Sequence, residues 1–202
     1  PAVAGNNTLT LPTGNGTARQ ILMGDGAGTL SFVNDAGALF YRLDSTLAGA
    51  NVTTAQSVFG VGVTLAASTV YQFDALYSLV KTTGTTAHTL GIGFAGTASV
   101  NNILYSTHGS ATVGTASNGS LYGSLVASTA NTNTNYASIV TANILVYLYV
   151  RGTVSINAGG TFIPQYTLSA APGGAYSTSP GSYIRFVPIG TAGSNSSQGT
   201  WA

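Results

Sequence analysis

The sequence predicts an all-β protein, a jelly-roll-like β-sandwich with an extended N-terminal arm. Glu is absent, and Lys, Gln, Arg and Met, which also commonly occupy exposed helix faces, are scarce. The strand-favouring residues Thr, Val, Ile, Tyr and Phe are abundant. Several segments alternate apolar and polar residues with a period of two, which is typical of half-buried strands. Turns rich in Gly, Asn and Pro separate these short segments, as in sandwiches of many strands.

Residues 1–37 predict the arm, and residues 38–202 predict the sandwich body. The arm carries periodic large apolar residues between Gly-rich stretches, but too few of them for a core of its own. Such an arm has to bind a surface of its own domain, of a symmetry mate or of a larger scaffold. We expect six side chains to make that contact: Leu9, Leu11, Ile21, Leu22, Leu30 and Phe32.

Two segments of the body give the clearest strand patterns. Apolar residues from Tyr71 to Leu79 alternate with polar ones, which predicts a strand with one buried face. The segment Ile144–Val150 is apolar at every position, which predicts a central strand covered on both faces.

Proline and glycine positions predict the ends and turns of the remaining strands. The runs 162–168 and 183–189 each contain a proline that removes a ladder donor, so we expect edge or bulged strands there. The stretches 171–174 and 179–181 predict turns with special backbone angles. Asn118-Gly119 predicts the turn of a two-residue hairpin.

The charge content excludes several classes of partner. Asp, Lys and Arg together make up 4% of the chain, against about 25% charged residues in an ordinary domain. A net charge of +1 provides no basic stripe, so we expect no nucleic-acid partner.

The longest apolar run is far shorter than the roughly 20 residues of a membrane helix, and no secretory signal is recognisable. We therefore expect synthesis in the cytoplasm and no membrane partner.

The residues needed for catalysis are sparse. Four carboxylates are present, at Asp25, Asp35, Asp44 and Asp74, and a pair of them suited to glycoside cleavage is not evident. His88 and His108 accompany no G-x-S-x-G motif and no close metal-ligand spacing, and the absence of Cys excludes thiolate chemistry. The stretch 24–28 has the composition of a turn rather than of a phosphate or calcium loop. We expect no enzyme activity, no cofactor and no metal.

Tyrosine is the most informative aromatic residue, with eleven copies. Its flat apolar ring and polar hydroxyl suit sugar stacking and subunit interfaces, and they also suit ordinary sandwich strands. Tyr105, Tyr122 and Tyr136 lie near predicted loops, so we expect these three to be exposed and available to a partner or ligand.

Both parts of the chain resemble proteins of bacteriophage particles. The arm resembles the Gly-punctuated segments of phage fibres and virion appendages in the stretch TLTLPTGNGTARQILMGDGAGTLSFV. The body resembles surface proteins of tailed phages, particularly those of marine and cyanobacterial hosts, in the stretches YRLDSTLAGANVTTAQSVFGVGVTL, STVYQFDALYSLVKTTGTTAHTLGIGFAGTAS, GGTFIPQYTLSAAPGGAY and GSYIRFVPIGT. The resemblance implies a structural protein of the virion surface that assembles as a homotrimer.

Three functions remain open at this point. The first is a capsid decoration or cement protein whose partners are its own copies and the major capsid protein. The second is a receptor-binding fibre or spike tip that recognises host surface glycans. The third, a depolymerase, is disfavoured because acidic and basic side chains are so few.

Overall fold

The computed structural model describes residues 9–14, 16, 20–24, 27–34, 37–113, 116–128, 134–135, 139–193 and 195 of the 202. The chain divides into two compact units, Pro1–Gly37 and Ala38–Ala202. Within the described ranges all regular structure is β and no helix is present. Accordingly, no helix in that part of the chain is long and apolar enough to cross a membrane.

The first unit contains one hairpin. Strand β1 (Gln20–Gly24) pairs antiparallel with β2 (Leu30–Asn34). A third segment joins it at Thr10, whose N–H donates to the carbonyl oxygen of Gly28 and whose carbonyl oxygen accepts from the N–H of Leu30, both at 2.9 Å. The two apolar runs on either side of the Gly-rich stretch 24–28 are thus the two strands of this hairpin.

The second unit contains two antiparallel sheets. The strands of the large sheet are β3 (Leu39–Arg42), β4 (Leu47–Ala48), β7 (Thr69–Lys81), β9 (Ser99–Val113), β10 (Ala116–Ser128), β12 (Ile144–Ala158), β14 (Tyr176–Thr178) and β15 (Tyr183–Thr191). The strands of the small sheet are β5 (Gln56–Ser57), β6 (Val63–Leu65), β8 (Leu90–Ala95), β11 (Thr134–Asn135) and β13 (Gly160–Leu168). The large sheet has the order β10-β9-β12-β7, with β7 then paired to both β14 and β15, and the small sheet has the order β11-β8-β13.

The core lies between the two sheets and is rich in aromatic rings. Phe73 of the large sheet contacts Phe94 of the small sheet, with ring centroids 5.3 Å apart, and Phe94 stacks on Phe162 at 4.7 Å. Phe186 closes the cluster by an edge contact with Phe162 at 5.8 Å. Such aromatic contacts add to the hydrophobic stabilisation from the buried area. This face-to-face packing is consistent with a β-sandwich.

The alternation predicted for residues 71–79 is confirmed in β7. All odd-numbered residues from Tyr71 to Lys81 are buried, whereas Gln72 is exposed and Asp74 half-buried. The odd-numbered side chains point into the core because successive residues of a strand point to opposite faces.

The prediction for 144–150 is half correct. Strand β12 is central, since it pairs with β7 on one side and with β9 on the other. Its even-numbered residues from Ile144 to Val150 are buried, but Tyr147 and Tyr149 are 39% and 50% exposed. The prediction that both faces of this strand are covered is therefore wrong. The small sheet covers one face of β12, and the other face is open in the body.

The two proline-containing strands differ in their positions. β13 is internal to its sheet, so the prediction of an edge or bulge is wrong for it. The carbonyl oxygen of Pro164 accepts from the N–H of Val58, next to β5. Because the C=O and N–H positions of one strand residue point to the same side, the N–H that proline lacks would also point to that side. There the partner of β13 changes from β6 to β5, so no ladder bond is lost at Pro164. β15 has an irregularity between Pro188 and Gly190, as predicted, beyond the end of its pairing with β3.

The structure confirms two of the turn predictions and contradicts the third. Gly173 and Gly181 have φ values of +79° and +88°, which confirms the special backbone angles expected after Pro172 and Pro180. Asn118-Gly119 is not the hairpin turn, because Ala116 already pairs with Val113. The dipeptide instead lies at a register shift inside β10, where the three residues between Ala116 and Ser120 lie opposite the single residue between Ala111 and Val113 of β9.

Candidate functional site

The candidate site is the open face of the large sheet, here called the outer face. It is formed by the residues of β7, β9, β12, β15 and β3 that alternate with the buried ones. Its exposed or half-buried side chains include Phe40, Arg42, Gln72, Asp74, Leu76, Leu104, His108, Tyr147, Tyr149, Arg151, Tyr183 and Arg185.

Strand register places three charged residues in one row across this face. Arg151 of β12 lies directly opposite Asp74 of β7, and Asp74 lies directly opposite Arg185 of β15. Directly opposed residues have Cβ atoms about 4.5–5.5 Å apart, so the three side chains are neighbours. This row gathers three of the nine charged residues of the chain.

Only one end of the row is ion-paired. Arg185 Nε donates to Asp74 Oδ1 at 2.9 Å, and Arg185 Nη2 lies 2.8 Å from the same oxygen. Arg151 is exposed and forms no ion pair with any residue that the structure describes. The row therefore carries a net charge of +1, and the unbalanced charge is at Arg151.

Aromatic rings flank the charged row. Tyr149 lies two residues before Arg151 on the same face of β12, opposite Leu76, which in turn lies opposite Tyr183. Tyr183 is held by stacking on Phe40, with ring centroids 5.7 Å apart. Tyr149, Tyr183, the charged row and Gln72 line a depression of about 360 Å³.

The acidic groups of this arrangement are few and paired. The depression holds one carboxylate, Asp74, and that carboxylate is already paired with a guanidinium. Acid–base cleavage of a glycosidic bond uses two carboxyl groups at a fixed separation. Asp44, the other carboxylate among the described residues, pairs with Arg42. Asp25 and Asp35 lie outside the described part of the chain, as do any contacts that they make.

A second polar cluster is buried at the other end of β7. His88 Nδ1 lies 2.7 Å from the carbonyl oxygen of Thr86, so Nδ1 carries the proton, and Nε2 accepts from the Tyr176 hydroxyl at 2.9 Å. Lys81 Nζ donates to the carbonyl oxygen of Gly84 at 2.6 Å and lies 6.0 Å from the Tyr176 ring centre. The side chains of Lys81, His88 and Tyr176 are all 2% exposed or less.

Burial shifts the pKa values of this cluster towards the neutral forms. Desolvation lowers the pKa of Lys81 and of His88. For His88, the hydrogen bond to Thr86 opposes this shift by raising the pKa, and the nearby Lys81 charge lowers the pKa further. Desolvation raises the pKa of Tyr166 to about 12 and raises that of Tyr176 as well. Because these side chains are almost completely buried, we interpret this cluster as part of the core. Among the described residues no group of three or more His, Cys, Asp or Glu is placed to hold a metal ion.

The predicted arm residues are for the most part exposed. Leu9 and Leu11 are 57% and 67% exposed, and Ile21 and Leu22 are also exposed. Leu30 and Phe32 are half-buried. Whether these six side chains contact a scaffold remains a prediction.

The predicted tyrosines do not form the site. Tyr105 is 1% exposed and its hydroxyl donates to the carbonyl oxygen of Ile92 at 3.0 Å, so its predicted exposure is wrong. It points inward because it occupies a core-facing position of β9. Tyr122 lies in β10, opposite Gly109, but its side chain is outside the described set, and Tyr136 is outside it entirely.

The site consists of residues that local sequence patterns did not indicate. The pattern of 144–150 predicts burial of Tyr149 in a strand covered on both faces, and the alternation of 71–79 marks Asp74 only as a residue of the polar face. One signal was available: Arg151 extends the run 144–150 in the phase of Tyr147 and Tyr149, which marks that phase as the outer one. Comparison with known proteins adds no assignment, because no family model, curated protein or solved structure matches this chain.

Proposed function

We propose that this protein is a capsid decoration or cement protein of a tailed phage. In this role it acts without enzymatic chemistry on the virion surface, after synthesis in the host cytoplasm. Its partners are the major capsid protein and its own copies in a homotrimer. The two antiparallel sheets of the body are compatible with the jelly roll that is part of this proposal.

The observation that carries the proposal is the exposed apolar surface of the arm. Leu9, Leu11, Ile21, Leu22 and Met23 are each more than 40% exposed, although strand β1 is paired in a hairpin and Thr10 is hydrogen-bonded to it. Contiguous exposed apolar side chains are typical of interaction surfaces. Transfer of this surface from water onto a partner gives about 25 cal/mol per Å² of apolar area.

Stabilisation of the capsid then follows from mass action. A protein that binds the assembled shell but not free subunits stabilises the shell by RT ln(1 + [L]/Kd) at each site. This mechanism needs shape complementarity and no reaction. The low charge of the chain suits dense packing of identical copies, because repulsion between neighbours is small.

Binding to undecorated capsids tests this function. Replacing Leu9 and Leu11 by Ser together should weaken capsid binding at least about tenfold, a loss of about 1.4 kcal/mol. Leu104→Ser is the matched control, because Leu104 is also exposed but lies on the body. Deleting residues 1–33 should leave a folded body that no longer enters capsids or trimers. Saturable capsid binding by the truncated chain would contradict the proposal.

A second function, recognition of host surface glycans, is supported by the outer face. The exposed Tyr149 and the half-buried Tyr183 lie beside hydrogen-bonding and charged groups in one depression, a combination that suits a sugar ring with an apolar face and polar edges. Binding of the purified protein to intact host cells, lost in Tyr149→Ala but retained in the Leu9 and Leu11 double variant, would favour this function. Cell binding that is unaffected by Tyr149→Ala would count against it.

A further inference from the structure

We infer that the depression on the outer face binds a sugar that carries a carboxylate, with Arg151 binding the carboxylate and Tyr149 stacking on the sugar ring. The inference rests on the second proposed function and names its ligand class. It depends on three features of the described residues: an exposed guanidinium without an ion-pair partner, the pairing of Asp74 with Arg185, and an exposed aromatic ring in a depression of suitable size.

The first feature is the state of the cations. Arg42 is paired with Asp44, Arg185 is paired with Asp74, and Lys81 is buried with its ammonium bonded to a backbone carbonyl. Within the part of the chain that the structure describes, this leaves Arg151 as the exposed cation without an ion-pair partner. A guanidinium presents a planar fork of donors that matches a carboxylate in two parallel hydrogen bonds.

The second feature is the neutralised state of Asp74. This carboxylate lies next to Arg151 in the row and would repel an anionic ligand if its charge were unbalanced. Arg185 contacts its Oδ1 through both Nε and Nη2, so the pair as a whole is neutral towards the depression. The remaining charge is that of Arg151, which favours an anionic ligand over a neutral one.

The third feature distinguishes a sugar from a small inorganic anion. Tyr149 is 50% exposed and lies on the same face of β12 as Arg151, two residues away. Tyr183, whose ring stacks on Phe40, lines the same depression together with Gln72. The C–H face of a sugar ring packs on tyrosine, and its hydroxyls bond to amide and phenol groups. The volume of about 360 Å³ lies within the range of small-molecule sites, roughly 300–1,000 Å³.

A matched pair of probes tests the inference on the full chain. The first probe is a trimer of galacturonic acid, and the second is the same trimer with its carboxylates methyl-esterified, which keeps the rings and removes the charge. Calorimetric titration at low salt should show binding of the acid and at least about tenfold weaker binding of the ester, a difference of about 1.4 kcal/mol. Raising the salt concentration should weaken binding of the acid but not of the ester, because an exposed charge pair is screened.

Variants then assign the contacts. Arg151→Gln should reduce affinity for the acid to that for the ester, and Tyr149→Ala should weaken both. Arg42→Gln is the control, because Arg42 is a cation of the same sheet that is paired and does not line the depression. The three residues are exposed, so thermal unfolding should show that each variant remains folded.

The outcomes separate this inference from the function on which it depends. Equal binding of acid and ester, unaffected by Arg151→Gln but lost in Tyr149→Ala, would overturn the carboxylate specificity and leave glycan recognition standing. Absence of binding to either trimer and to a panel of other acidic and neutral sugars would overturn both. Equally tight binding of a poly-aspartate peptide that depends on Arg151 would assign the depression to an acidic protein segment and overturn the sugar.

Discussion

The two faces of the large sheet are built from the same strands, yet they have opposite relations to water. On β12 the side chains of Val146, Leu148 and Val150 are buried against the small sheet, whereas Tyr147 and Tyr149 on the other face are exposed. Both sets belong to one uninterrupted apolar run. The comparison teaches that an apolar residue predicts burial without saying whether its own chain or another molecule covers it. On the inner face the cover is the small sheet, and for the outer face we propose a ligand.

The largest expected difference between the faces is in stability. Phe73→Ala removes a ring that is 1% exposed and contacts Phe94, Tyr105 and Phe186, so the free energy of unfolding should fall by about 3–5 kcal/mol. Tyr149→Ala on the outer face should change it by less than about 0.5 kcal/mol. Denaturant unfolding of both variants measures the contrast, and a cost for Tyr149→Ala close to that of Phe73→Ala would break it.

A smaller effect is expected from removing single hydroxyl groups. Tyr176→Phe leaves the buried Nε2 of His88 without its donor, so unfolding free energy should fall by about 1–3 kcal/mol. Tyr149→Phe is the matched control on the outer face, because Tyr149 is 50% exposed and water can replace a bond that an exposed hydroxyl makes. Similar losses in the two variants would contradict this difference between the buried and the exposed hydroxyl.

The pH dependence of stability below about pH 6.5 should come from the buried His88. The folded pKa of His88 lies below its ordinary value of 6.5, so between the two values the unfolded chain binds the proton more strongly. Stability should therefore fall as the pH drops below about 6.5 and level off below the folded pKa. His88→Gln should remove this slope, measured as unfolding free energy against pH. Retention of the slope in His88→Gln would assign it to another group.

The smallest effect is expected from the ion pair on the outer face. Arg185→Gln should lower the free energy of unfolding by about 0.2–1 kcal/mol, because both partners are partly exposed and their attraction is screened. The loss should shrink at high salt. A loss of several kcal/mol that is insensitive to salt would mean that this face is shielded from water, as the inner face is.

Local patterns predicted the strands better than they predicted the faces. The alternation in β7 and the central position of β12 are confirmed. Both can be predicted locally, because the spacing of apolar residues and the length of an apolar run belong to a single segment. The internal position of β13 could not be predicted, because the effect of Pro164 on strand pairing depends on which side its absent N–H would face. The bulge at Asn118-Gly119 was missed because the pairing of Ala116 with Val113 decides where the chain reverses.

The candidate site lay beyond such patterns for a similar reason. Asp74, Arg151 and Arg185 are far apart in sequence, and only the register of three strands brings them into one row. The inward position of Tyr105 likewise depends on the phase of β9 relative to the small sheet, which proximity to a loop does not indicate.

The burial of Lys81 has a practical consequence for handling the protein. It is the sole lysine of the chain, and its side chain is 0% exposed. Amine-directed dyes, biotinylation reagents and aldehyde fixatives should therefore find no lysine to react with on the native body. Any such labelling of folded material should report the α-amino group, and a new signal at Lys81 would be a sensitive sign of unfolding.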